Sequence, residues 1–181
     1  MKLTLNTAEV ERAIASLRAK SPLAIVRSMN RGMGAGRTQL VRDTARALKL
    51  KVGTVRDRTS VGNATTGQLR ATIMASAKPV PAIEFGARGP DPSRGLGRGI
   101  TTKLPSRRFP RAFFAVVGKG QHRGVFERVG KKRLPIREIK GPSVWFVAMK
   151  HLPAAAARAL EQTLKTLQHE ISRILPTGGP K

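Results

Sequence analysis

The sequence predicts an α+β fold: N-terminal helices, an antiparallel β-sheet with long basic loops, and a long C-terminal amphipathic helix. Three features carry this reading. Apolar residues recur at spacings of three and four up to about residue 48. Between about residues 69 and 139 they alternate, imperfectly, as in strands. The helical spacing then returns at Leu160, Leu164, Leu167, Ile171 and Ile174.

Taken in order, Asn6 or Thr7 can cap a first helix to about Lys20, with Glu9 as capping-box partner and Val10, Ile14 and Leu17 as its stripe. Ser21-Pro22 reads as the start of a second helix, running to about Leu48. Its expected inner face is Ile25, Met29, Met33, Leu40, Val41, Ala45 and Leu48. Gly32, Gly34 and Gly36 weaken its middle and predict a kink or a close helix contact. A short third helix capped by Thr54 is expected at 53–58. Strands are expected at 69–76, 80–85, 112–117, 125–129 and 134–139, with a hairpin turn at 118–124. Gly141-Pro142 should end the last strand, and Pro153 should open the final helix. Leu160, Leu164, Leu167 and Ile171 are expected to be buried against the sheet or a neighbour. The chain therefore reads as a single domain over 1–175, with a flexible Gly/Pro/Arg-rich loop at about 86–111 and a tail at 176–181.

Composition narrows the function. The chain has 181 residues, 35 Lys and Arg against 10 Asp and Glu, and a net charge of +25. Six Phe and one Trp are its only aromatics, so any core is thin and leans on neighbouring subunits. The absence of Cys excludes disulfide frameworks, thiolate metal sites and thiol nucleophiles. Val144–Met149, the longest apolar run of the C-terminal third, falls far short of the ~20 residues of a membrane span. No secretory signal is visible at Met1–Asn6. The charge is uneven: +9 over residues 1–60, +1 over 61–93, +12 over 94–140 and +3 over 141–181. Such an excess calls for a polyanion or an acidic partner surface.

Catalytic chemistry is poorly served. The acids are scattered and mostly sit beside basic residues. His122, His151 and His169 form no metal-ligand spacing, and no cofactor is expected. Gly32–Gly36 and Gly95–Gly99 do not follow a strand into a helix, so neither reads as a dinucleotide loop. The segment Asp43–Arg58 resembles a helix-turn-helix only loosely. What remains are basic clusters: Arg107, Arg108 and Arg111 around Phe109, and Lys131, Lys132 and Arg133. These are candidate contacts for DNA phosphates or acidic partner surfaces.

One segment is more specific. Gly124-Val-Phe126-Glu-Arg128, a basic turn, Arg133-Leu-Pro-Ile136 and then Gly141-Pro-Ser-Val144 resemble the minor tail protein Z family of tailed phages and prophages. The alanine-rich stretch 38–47, the run 48–58 and the terminal amphipathic helix agree with it. The resemblance implies a non-enzymatic, structural virion protein, assembled in the host cytoplasm. It would act in tail completion and head–tail joining at the head-proximal end of the tail, the neck. It also implies a ring of six copies and contacts with tail terminator, tail tube or head–tail connector proteins. Non-specific contact with packaged DNA is an expected addition, and a membrane is not. The alternative is a basic nucleic-acid-binding protein acting free of a virion, for which the net charge is the motive.

Overall fold

The computed structural model describes residues 7–89, 99–104, 108–118 and 120–174, with side chains from residue 21 onward. The expected Asn6 cap, Arg107 and the tail at 176–181 lie outside the described residues. Among the described residues, three α-helices, α1 (Thr7–Leu48), α2 (Val52–Arg56) and α3 (Val144–Ile174), bracket the strands in sequence, with a 3-10 turn at Ala82–Phe85. These are β1 (Thr59–Gly62), β2 (Thr72–Ala75), β3 (Pro79–Pro81), β4 (Ile100–Thr101), β5 (Arg108–Phe109), β6 (Ala112–Val117), β7 (His122–Arg128), β8 (Ile136–Glu138) and β9 (Lys140–Ser143). The α+β class is as expected. The strands, however, form four small sheets, β1–β2, β3–β9, β4–β5 and β6–β7–β8, where one sheet was expected. The described residues divide into two compact units: 7–39, Val61–Met74 and 152–174 in one, Leu40–Ser60 and Ala75–His151 in the other.

The first unit is built on two helices packed antiparallel. Ala24, Ser28, Gly32 and Gly36 are buried at four-residue spacing along α1. They face Ala155, Ala159 and Thr163 of α3. A Cβ at Gly36 would stand 2.8 Å from Ala159 Cβ and 2.9 Å from the Ala155 carbonyl oxygen, and one at Gly32 would meet the Thr163 hydroxyl. The glycines therefore mark a close helix contact. Gly34 points away, with nothing within 4 Å of its missing Cβ. This seam corrects the expected inner face: Ile25, Met29 and Met33 are only half-buried, because the small residues alone admit α3's backbone. Helix α1 runs unbroken through Pro22, although a proline inside a helix costs about 3 kcal/mol. Asn30 adds a two-way amide clamp on the β1–β2 connection: its Nδ2 donates to the Ala64 carbonyl (3.0 Å) and its Oδ1 accepts from the Ala64 amide (2.7 Å).

The same seam decides the fate of α3's leucines. Leu160 (61% exposed), Leu164 (51%) and Ile171 (41%) lie uncovered in the single chain, and Leu167 is half-buried. The expected burial against the sheet is thus not found. Helix α3 meets α1 through its alanines, and the leucines occupy the adjoining face. On the exposed side, Lys165 and Arg158 bond Glu161 at 2.7 and 2.8 Å, and these partners hold its carboxyl below the usual carboxylate range.

The second unit holds two apolar clusters. In one, Val41, Ala45, Leu48 and Leu50 meet Val55, Val80, Phe85, Leu104 and Val144. In the other, Ala82, Ile100, Ala112 and Val125 are joined by Phe109, Phe114 and Ile139. Leu48 ends α1 in a glycine-type cap without glycine. Lys49 takes φ +55, its amide donates to the Arg46 carbonyl (3.2 Å), and the Leu50 amide donates to the Ala45 carbonyl (3.0 Å). Thr54 does not cap α2; its hydroxyl donates to Glu84 Oε2 at 3.0 Å. Part of the segment expected as one flexible loop is packed: Ile100, Thr102 and Leu104 are buried, and Arg88 and Thr101 exchange backbone hydrogen bonds of 2.8 Å.

Replacement of Gly36 by Leu should lower unfolding free energy by about 1–3 kcal/mol through overpacking against backbone. Gly34→Ala should raise it by about 0.5–1 kcal/mol, since only helix propensity changes. Urea denaturation of the two variants checks both signs.

Candidate functional site

The three-stranded sheet positions most of the described candidate residues. Strand β6 pairs antiparallel with β7, Ala112 opposite Glu127, and β7 with β8, Arg128 opposite Ile136. The start of β6, the end of β7 and the start of β8 therefore share one end of the sheet. Arg111 precedes β6, and Lys131, Lys132 and Arg133 lie in the connection from β7 to β8. The register brings these four exposed cations to the same end. Arg108, also exposed, sits in β5 opposite Thr101. The acids nearby already have partners: Glu127 bonds Arg137 at 3.1 Å, and Glu138 bonds His122 Nε2 at 2.8 Å.

The quoted sequence patterns have packing explanations. On one face of β7, Gly124 is buried, and a Cβ there would stand 2.9 Å from the Phe126 ring and 3.1 Å from Glu138 Oε1. The glycine thus leaves room for the ring, against which His122 packs edge-on. Arg128, on the same face, lies over the Phe113 ring at 5.5 Å, and on the opposite face Arg123 lies over Phe114 at 5.7 Å. The sheet thus holds two cations on rings and leaves the turn cations free of its packing.

Lys140–Ser143 is strand β9, not the turn expected from Gly141-Pro142. It pairs with β3, Pro79 opposite Ser143 and Pro81 opposite Lys140. A two-stranded sheet accepts proline because half of its amides point outward. Gly141 lies against the Phe85 ring, whose atoms stand 2.6 and 2.8 Å from where a Cβ would be. The Ser143 hydroxyl then accepts the Phe146 amide at 3.3 Å, the geometry of a helix N-cap. Helix α3 therefore opens at Val144, nine residues before the proline expected to open it, and Pro153 lies inside it.

Sequence reasoning missed a second basic cluster. Arg42, Arg46 and Lys49, at the end of α1, and Lys103, after β4, line one cleft. The first three were legible as a helical i, i+4, i+7 set; Lys103 is joined to them only by the fold. Among the described residues, no group of three His, Cys, Asp or Glu is placed to hold a metal, and no helix is long and apolar enough to cross a membrane.

The described surface thus offers cations and uncovered apolar side chains. The prophage minor tail protein Z family matches residues 8–177, and the chain belongs to that family. It is a phage tail component and, as such, part of the virion. Neither a curated protein nor a solved structure shows significant similarity to it.

Gly141→Ala should lower stability by about 1–3 kcal/mol, because the fully buried Phe85 ring would have to shift to admit the Cβ. Thermal denaturation followed by circular dichroism measures this, with Gly120→Ala, whose Cβ position is open, as the control.

Proposed function

We propose that the chain is a tail-completion subunit at the head-proximal end of the phage tail, where it takes part in head–tail joining. It acts without catalysis, as one of six copies in a ring, against tail terminator, tail tube or connector proteins. The observation that carries this reading is the uncovered apolar face of α3 at Leu160, Leu164 and Ile171. Large apolar side chains at such spacing are a surface for another chain to cover. Trp145, Phe146 and Met149 offer a similar exposed set at the start of α3, in the second unit. The turn cations Arg111, Lys131, Lys132 and Arg133, with Arg107 and Arg108, would meet acidic partner surfaces or the DNA that passes through the tail. Such contacts weaken steeply as salt rises.

Leu164→Asp should leave the monomer folded, since Leu164 is half exposed in the single chain, and should prevent assembly. Analytical ultracentrifugation together with circular dichroism separates these outcomes. In phage complementation, replacement of Arg107, Arg108, Lys131, Lys132 and Arg133 by Gln should abolish head–tail joining while tails still form. Imaging of virions that places the chain away from the head–tail junction would exclude this position. Saturable submicromolar binding of duplex DNA by such a chain as a monomer would favour a free nucleic-acid-binding role.

A further inference from the structure

We propose that the cleft at the end of α1 binds a phosphate group. It measures about 780 Å³ and lies wholly within the second unit. Arg42, Arg46, Lys49 and Lys103 line it, with Thr102, Ala45, Leu50 and Val52. Its lining holds four cations and no acid. The ion pairs of Glu127, Glu138, Glu161 and Glu170 lie elsewhere.

Three features go beyond a solvated basic surface. Thr102 is only 5% exposed, and its Oγ1 is buried with no hydrogen-bond partner among the described residues. A buried hydroxyl left unbonded costs about 1–3 kcal/mol, and a phosphate oxygen reaching the wall of the cleft would accept its proton. Lys49 stands at φ +55, the position where glycine usually ends a helix, so a cation occupies a place at which lysine's backbone is strained. The Lys103 stem lies over Gly86, whose missing Cβ would be 3.4 Å from Lys103 Cε; Gly86 itself takes φ +63. This packing holds the carbon stem of Lys103 beside Gly86 at the rim of the cleft.

The helix end does not account for these charges. A helix C-terminus carries about half a negative charge, and the carbonyls of Ala45 and Arg46 are already bonded by the Leu50 and Lys49 amides. Four cations call for a ligand with more than one negative charge. Two guanidinium forks, two ammonium groups and a hydroxyl donor suit the several oxygens of a phosphate. Free phosphate and the DNA backbone share this chemistry.

The test is titration of the full chain with inorganic phosphate at constant ionic strength, read by calorimetry. Saturable one-to-one binding is expected. It should weaken at least tenfold in Arg42→Gln/Arg46→Gln and be unchanged in Arg158→Gln/Lys165→Gln, which removes the same charge from the exposed side of α3. Thr102→Val gives a second readout: weaker phosphate binding with an equal or higher Tm, because the substitution removes an unbonded hydroxyl. Competition by a 12-base-pair duplex, absent in the double Arg variant, would assign the site to the DNA backbone. Phosphate binding unaffected by the duplex would assign it to the free ion. Non-saturable binding, equal losses in both multiple variants, or preference for a glutamate peptide of matched charge would overturn the proposal.

Discussion

The ring of Phe85 is fully buried, and its edge fills the space where a side chain at position 141 would stand. Around it gather the last turns of α1, the cap residue Leu50, Val55 of α2, Val80 of β3, Leu104 and the first residue of α3. Burial of one such side chain is worth about 1.5–3 kcal/mol. In a chain with only seven aromatics, this ring is the largest fully buried side chain among the described residues. The strand β9, the Ser143 cap and the start of α3 follow it directly in sequence, so a ring displaced from Gly141 would disturb all three.

The packing of α1 on α3 obeys a related constraint. Glycine and alanine let two backbones approach, and that approach leaves no room for leucine in the seam. The large apolar residues of α3 are therefore displaced to a neighbouring face. Two faces of one helix thus differ: the small face closes on α1, and the large one is left uncovered in the single chain. The thin core and the uncovered apolar face are consequences of the same choice of residues, in a component of a phage tail.

The positive charge is likewise divided by structure. Arg123 and Arg128 lie on phenylalanine rings, and Arg137 and Lys140 lie beside carboxylates. The turn cations at the end of the three-stranded sheet and the cleft cations at the end of α1 have no such ion-pair partners among the described residues. A net charge of +25 is thus less informative than the location of the side chains that the fold leaves unpaired.

By itself the sequence determined the α+β class, the strand Ala112–Val117, the end of α1 at Leu48 and, through the Gly124–Val144 patterns, the family, and it narrowed the α1 glycines to a kink or a close contact, of which the fold chose the contact. These are properties of local spacing and of backbone freedom, which short stretches of residues carry. Tertiary structure decided the rest. It carried both long helices through proline, at Pro22 and at Pro153. It made a strand of Lys-Gly-Pro-Ser, because pairing with β3 and a ring beside Gly141 favour an extended backbone there. It left Leu160 and Leu164 outside, because only small residues fit between two helix backbones. And it joined Lys103 to Arg42, Arg46 and Lys49, a meeting of distant residues that no periodicity records.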